Sequence, residues 1–238
     1  MTIKVSVVGA SGRMGKLALE LIHAAQDLSL HSALDSKSDL TETEGADVIF
    51  DVTRLDVSAQ VIDQALNSDI AVVVGTSGWS ASKLEQLSPK VAGAAGTVVV
   101  IPNFSVGSML ATRFAAEAAK HFASIEIVEA HHANKVDSPS GTAIRTAELI
   151  AKSRDNQPLI VGVDQEARGQ IVSGVPIHSL RLSGVSAKQD VLLGGDSELL
   201  TISHETSSVY AYSAGILASI RFAAANKGLF VGLETVLA

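Results

Sequence analysis

The chain has 238 residues, a net charge of −7 with its histidines neutral, 47% apolar residues and no cysteine. That length allows one or two domains, each with a real core. The acidity argues against general nucleic-acid binding, which needs a basic face, and the missing thiols exclude disulfides, thiolate catalysis and zinc–thiolate sites while permitting a reducing compartment.

The start, "MTIKVSVVGASGRMG", is apolar for only a few residues before glycines interrupt it. It lacks the long apolar centre of a signal peptide. No apolar run approaches the ~18 residues of a membrane helix. The expectation is a cytoplasmic protein with no membrane or nucleic-acid partner.

The β-branched run Ile3 to Val8 reads as a buried strand. Apolar residues at Met14, Leu17, Ala18, Leu21 and Ile22 then have helix spacing over 13–25. "LSLHSALD" (28–35) alternates like a strand, and "ADVIFDV" (46–52) is a third. Val57 to Leu66 is helical, "IAVVVG" (70–75) is a fourth strand, a helix lies near 80–88, and "TVVVIPN" (97–103) is a fifth strand. Such alternation predicts a mostly parallel sheet covered by helices.

The pattern changes after Pro102. Ser108 to Phe122 reads as helix, "SIEIVEAHH" as strand and Gly141 to Ser153 as helix. Residues 154–175 read as a loop. "IHSLRLSG" (177–184), "KQDVLLGG" (188–195) and "ELLTISHE" (198–205) read as an antiparallel meander, and Tyr212 to Ala225 as a last helix. The expected class is α/β with a second α+β domain. The boundaries fall near Asn103 and Tyr210, so residues 1–103 and 211–238 form a dinucleotide-binding domain and 104–210 the second domain.

"GASGRMG" places Gly9, Gly12 and Gly15 after a strand and at the opening of a helix. A phosphate needs backbone N–H groups at close range, and glycines keep side chains out of the way. A tight strand-to-helix turn is the plain alternative. Asp35, at the end of the next strand, tips the balance, because an acidic group about 20 residues on accepts hydrogen bonds from the adenosine ribose. It should repel a 2′-phosphate and favour NADH. Lys37 and Arg13 soften that preference, so NADPH stays open. "GTSGW" (75–79) and "IPNFS" (101–105) follow the fourth and fifth strands, where the ligand crevice of such sheets lies. They border the nicotinamide or are ordinary turns.

"EAHHANKVDSPSGTA" (129–143) crowds two histidines, a lysine and an aspartate together. A metal fits poorly, because adjacent His131 and His132 on a strand tend to face opposite ways and no third ligand is spaced to help. Hydrolysis by Ser138 or Ser140 fits poorly too, for neither sits in a Gly-x-Ser-x-Gly elbow. An anion site with an acid uses more of the residues. Pro139 precedes a helix that Ser140 or Thr142 can cap, and its first N–H groups suit a substrate carboxylate. His132 and Lys135 add donors and charge, and His131 could supply or relay a proton near neutral pH. Together the two motifs suggest hydride transfer from a nicotinamide with protonation from the second domain. A cofactor-sensing protein without catalysis, and another imine-reducing dehydrogenase, are the competing readings.

These segments, with "VPIHSLRLSG" (175–184) and "VLLGGDSELLTISH", resemble the dihydrodipicolinate reductase family over nearly the whole length. The resemblance implies a Rossmann domain completed by the C-terminal helix. It implies a second domain with a mixed, largely antiparallel sheet that binds substrate and assembles a homotetramer. The implied activity is NADH- or NADPH-dependent reduction of a cyclic imine dicarboxylate to tetrahydrodipicolinate, in diaminopimelate and lysine synthesis. By the same resemblance His131 gives or takes a proton and Lys135 donates one, and His132, Ser140, Gly141 and Thr142 bind substrate. Gly9, Ala10, Ser11, Gly12, Arg13 and Met14 line the cofactor, as do Asp35, Gly75, Thr76, Ser77, Ile101, Pro102, Asn103 and Phe104. No metal is implied. "DVTRL" departs from the family's usual D-F-T-[HR]-P, so Val52 and Leu55 alter a loop near the nicotinamide and should shift cofactor affinity slightly. Ser77, Ser138 and Asn134 are milder departures.

Overall fold

The structure is a computed structural model that describes residues 2–155, 157–163 and 165–238. It divides into two compact units, residues 1–106 with 209–238, and residues 107–208.

The first unit is built on β1 (Ile3–Val8), β2 (Leu28–Leu34), β3 (Val48–Asp51), β4 (Ala71–Val74), β5 (Thr97–Val100) and β11 (Gly228–Val231). All pair in parallel, in the order β11-β5-β4-β3-β1-β2. The chain lays β2 on one side of β1 and β3 on the other, so the order reverses between β1 and β3. Strands β3, β4 and β5 are buried along their whole length. That follows from their sequences, VIFD, AVVV and TVVV, in which three or four consecutive apolar residues replace alternation, as a sheet covered on both faces requires. Ile49, Val72, Val74, Val98 and Val100 pack with α2 (Leu55–Asn67) and α3 (Ala81–Ala94). By the two-residue period, Phe50, Val73 and Val99 face the other layer, where α1 (Arg13–Ala24) and α6 (Ser213–Ala225) pack together.

Two features of this unit differ from the sequence reading. Helix α3 runs through Pro89 to Ala94 instead of stopping near Ser88. Leu87 and Val91, four residues apart, are both buried, and that shared apolar stripe carries the helix past a residue costing about 3 kcal/mol in a helix interior. Strand β11 was not foreseen, because four residues after a glycine carry too little periodicity to register.

The second unit holds β6 (Ser124–His131), β7 (Gln170–Val172), β8 (Val175–Arg181), β9 (Ala187–Gly194) and β10 (Leu199–Thr206), in the order β10-β9-β6-β8-β7. Helices α4 (Val106–Ala118) and α5 (Gly141–Ser153) cover one face, over Ile125, Ile127, Val175, Ile177, Val191 and Leu193. Strands β9 and β10 pair antiparallel as expected. The meander does not extend to β8, however. It pairs parallel with β6, which lies between it and β9. Alternation fixes which face of a strand is buried but says nothing about its neighbour. Strand β7 occupies part of the expected loop, paired with β8.

Candidate active site

In the first unit, the segment between β1 and α1 lies beside the start of the segment after β3. Gly9 has φ +89°, and a Cβ there would fall 2.6 Å from the Val52 carbonyl oxygen. A Cβ on Gly15 would fall 2.2 Å from the Gly9 carbonyl oxygen. Both glycines are therefore required by close backbone approach. Gly12 caps α1 and no side chain bonds the helix start. The first N–H groups of α1 have no carbonyl of their own helix to bond, and they carry the positive end of its dipole. Ser11 and Arg13 are exposed, Met14 is half-buried and Ala10 is buried. At the end of β2, the Asp35 carboxylate accepts the Lys37 N–H at 2.8 Å, which fixes its direction. This cradle fits a dinucleotide: a glycine-lined approach to a helix start, with a carboxylate ending the next strand.

The other cofactor candidates lie on two straps at the carboxyl ends of β4 and β5. A Cβ on Gly75 would fall 2.6 Å from the Phe104 ring, and that ring lies 5.5 Å from Phe50 between centroids. Phe104 and Ile101 are buried, so what they can offer a ligand is backbone. Ser77 and Pro102 are exposed, and Asn103 accepts the Ser105 N–H at 2.9 Å. Thr76 is held from below: its hydroxyl donates to Asp51 Oδ2 at 3.0 Å and accepts the Thr53 N–H at 2.9 Å. Asp51, fully buried at the end of β3, also accepts from the hydroxyls of Ser58 (2.5 Å) and Thr53 (2.6 Å). Burial pushes its carboxyl above the usual range, and these hydrogen bonds only partly oppose it. Asp51 has no signal in the sequence. It stands at the end of an apolar run, and nothing in a linear pattern shows three hydroxyls converging on it.

In the second unit, the buried face of β6 runs Ile125, Ile127, Glu129, His131. The apolar stripe thus turns polar at its carboxyl end. Glu129 is fully buried. Its carboxylate takes a bidentate bond from Arg181 on β8, at 2.9 and 3.0 Å. It also accepts the Ser140 N–H at 3.2 Å and pairs with His131 Nδ1 at 2.6 Å. Burial alone would raise the Glu129 carboxyl, but the hydrogen bonds from Arg181, Ser179 and His131 outweigh it and hold the group below its ordinary value. It is therefore a carboxylate, which only accepts, so His131 Nδ1 carries the proton and Nε2 is left as an acceptor. Burial, chiefly, and the nearby Lys135 and Arg181 charges hold His131 below the usual imidazole value, against the pull of Glu129. The ring is neutral at neutral pH.

The turn after β6 closes with the Lys135 N–H on the His132 carbonyl at 3.0 Å. The Lys135 ammonium sits 2.7 Å from Asp137 Oδ1, and that bond draws the Asp137 carboxyl below its usual range. Arg181 reaches this loop as well, donating to the Asp137 carbonyl at 2.7 Å. Ser140, not Thr142, caps α5, with its hydroxyl accepting the Ala143 N–H at 3.2 Å. A Cβ on Gly141 would meet nothing within 4 Å, so the helix start can be approached closely there. The structure thus gathers His131, Lys135 and the α5 start around two residues the sequence reading gave no role, Glu129 and Arg181. His132 is exposed. Among the described residues no group of three or more histidines and carboxylates could hold a metal, and no helix is long and apolar enough to cross a membrane.

A parallel sheet with a glycine cradle at its order reversal, followed in the chain by a unit with a charged, helix-capped sheet end, is the construction of a two-unit dinucleotide-dependent oxidoreductase. Comparison with known proteins is specific. Residues 3–104 match the family described as dihydrodipicolinate reductase, N-terminus, and residues 107–237 the corresponding C-terminus. The chain belongs to the dihydrodipicolinate reductase family. The 4-hydroxy-tetrahydrodipicolinate reductase of Clavibacter sepedonicus is 49% identical over all of this chain and 87% of that one. The enzyme of that name from Streptomyces griseus is 42% identical over 99% of this chain and 98% of its own. A dipicolinate-bound dihydrodipicolinate reductase from Paenisporosarcina sp. TG-14 superposes with a TM-score of 0.86 at 31% identity, covering 99% of each chain.

Proposed function

We propose that the protein reduces the cyclic imine dicarboxylate 4-hydroxy-tetrahydrodipicolinate, or its dehydrated form, to tetrahydrodipicolinate in diaminopimelate and lysine synthesis. The observation that carries this reading is the charged sheet end of the second unit, where a buried carboxylate orients His131 beside Lys135 and the start of α5. Family membership and the dipicolinate complex of the Paenisporosarcina relative support a planar diacid as ligand.

A bound reduced nicotinamide supplies the hydride. Every other task falls to the chain. The first N–H groups of α5, with Ser140, Gly141 and Thr142 around them and His132 nearby, hold one substrate carboxylate. They grip it equally before and after reduction, so they set binding more than rate. Reduction of the conjugated imine at carbon leaves an electron-rich enamine carbon that needs a proton. The Lys135 ammonium stabilises that charge and donates. His131, neutral with Nε2 unprotonated, is suited to accept or relay a proton and not to store one.

In the first unit, Gly9 to Met14 receive the pyrophosphate, and the straps 75–77 and 101–104 border the nicotinamide. The Asp35 carboxylate accepts the ribose hydroxyls and disfavours a 2′-phosphate, so NADH is preferred; exposed Arg13 and Lys37 keep NADPH usable. The protein is read as cytoplasmic, where its reduced cofactor is supplied. It is also read as a homotetramer joined through the second-unit sheet, whose strands expose Leu180 and Leu199.

The test follows nicotinamide absorbance with freshly made synthase product, using NADH and NADPH in turn, with and without pyridine-2,6-dicarboxylate. Oxidation of the cofactor that the diacid inhibits competitively is expected. No turnover with either cofactor, or indifference to the diacid, overturns the reading.

A further inference from the structure

Arg181 touches both halves of the proton-handling segment. Its two terminal nitrogens clasp Glu129, which pairs with His131, and one of them also bonds the carbonyl of Asp137, whose carboxylate holds Lys135. The parallel register of β6 and β8 makes this reach available, because Arg181 lies directly opposite His131 and Ser179 opposite Glu129. On β6 and β8 the buried apolar cluster reaches no further along the strands than Ile127 and Ile177, and the charged groups lie beyond it. A fully buried glutamate beneath a helix start is otherwise an expensive choice.

We propose that Glu129 and Arg181 are positioning residues for the reduction: Glu129 holds His131 in the Nδ1–H tautomer, and Arg181 fixes Glu129 and the Lys135 loop in one frame. This deepens the function proposed above and rests on it. Neither residue exchanges a proton with substrate. Glu129 keeps Nε2 as the imidazole's acceptor and sets the ring plane. Arg181 neutralises Glu129 and pins the Asp137 backbone, so that Lys135 and His131 keep a constant relation. The charged groups facing His131 are Glu129 on its own strand, Arg181 on β8, and Lys135 on the following loop. The Ser140 N–H, at the cap of α5, reaches the same Glu129 carboxylate and is uncharged.

The test compares E129Q, E129D and H131A with the unaltered enzyme, reading kcat, KM, inhibition by pyridine-2,6-dicarboxylate and the nitrogen NMR signals of His131. In the unaltered enzyme the spectrum should show the Nδ1–H tautomer. In E129Q, kcat should fall about tenfold to a hundredfold while KM and inhibition change less than about threefold, because the loss is in the transition state and not in binding. The limb of the pH profile that vanishes in H131A should move to lower pH in E129Q, since the raising influence of the carboxylate is gone. E129D keeps the charge and should recover part of kcat and return the limb. A merely structural glutamate would lower stability without moving that limb. An unaltered limb and tautomer in E129Q, or an Nε2–H tautomer in the unaltered enzyme, overturns the proposal. If H131A has full turnover, the catalytic role of His131 fails instead, and the tautomer measurement still judges Glu129. Should E129Q not fold, the unaltered spectrum and E129D decide.

Discussion

Among the described residues, each unit buries one carboxylate completely toward the end of a central strand, and the two are treated in opposite ways. Asp51 in the first unit meets only neutral donors, three hydroxyls and a backbone N–H. Its charge is tolerated rather than matched, and its carboxyl is pushed up. Glu129 in the second unit meets a guanidinium in bidentate contact and is held down. Neutral donors suffice to tie loops together, and Asp51 joins Thr53 and Thr76 on neighbouring straps. A carboxylate that stays charged both orients a paired imidazole and raises its basicity, which is the role proposed for Glu129 toward His131. In this chain, the chemistry of a buried carboxylate's partners separates the one that ties straps together in the first unit from the one paired with His131 in the second.

The largest effect expected belongs to the proton side. Lys135→Ala should lower kcat by about 10²-fold or more, the usual loss with a general acid. NADH binding, measured by fluorescence titration, should stay intact, because the cradle of Gly9 to Met14 and Asp35 lies in the other unit. Equal turnover would remove Lys135 from the mechanism and leave the second unit without a donor.

Next comes stability. Arg181→Ala strands the Glu129 charge in the interior and should destabilise the second unit by about 3–5 kcal/mol, as broken buried ion pairs do. Asp51→Ala leaves three hydroxyls to find other acceptors and should cost about 1–3 kcal/mol. Chemical denaturation of both variants measures the gap. If the two losses were equal, or reversed in order, the distinction between matched and tolerated charge would not hold.

The sequence made one of these carboxylates easier to find than the other. Glu129 stands two residues before His131, so strand period alone puts the two on one face. Its partner was hidden, because reading β8 as the first strand of a meander moved Arg181 away from β6. The segment "RLSG" carries a family resemblance, and nothing in it marks the contact with Glu129. Asp51 left no local trace at all, since Ser58, Thr53 and Thr76 converge on it from a helix and two straps. The six parallel strands were legible apart from β11, because continuous β-branched runs and the glycine turn at Gly9 are local signals. Pairing choice and hydroxyl convergence are tertiary, and a pattern along the chain does not contain them.

Acid should act on the two carboxylates with opposite sign. Glu129 has a depressed value in the folded state, so its stabilisation is present above its unfolded value, near 4.5, and is lost as pH falls through the folded value. His131 is also depressed, so below about 6.5 the unfolded chain takes up a proton first and stability falls. Asp51 is raised, so in the window above 3.8 the folded state binds the proton more tightly and acidification favours it. With His131 replaced by alanine, so that the imidazole Glu129 raises no longer contributes, unfolding free energies measured from about pH 6 down to about pH 3 should fall less steeply when E129Q is added, whereas Asp51→Asn should make the fall steeper. Like changes in both variants would contradict the assigned directions.

The smallest effect concerns Leu55, the first residue of α2, where the family pattern has proline. Proline suits that position, since the first helical N–H has no partner within the helix and φ is already near its fixed value. The preceding Arg54 has φ −117° and ψ 159°, the extended conformation that a following proline demands. Leu55→Pro should thus stiffen the unfolded chain and stabilise by about 0.4–1 kcal/mol. Against that, the Leu55 side chain lies against Gly78, with Cδ2 3.1 Å from where a Cβ on Gly78 would stand. Losing it frees the strap that carries Ser77. The two effects oppose each other, so thermal stability should hardly move while the Kd for NADH shifts by less than about threefold. A large fall in stability would mean that Leu55 anchors the 75–79 strap more firmly than Asp51 does through Thr76.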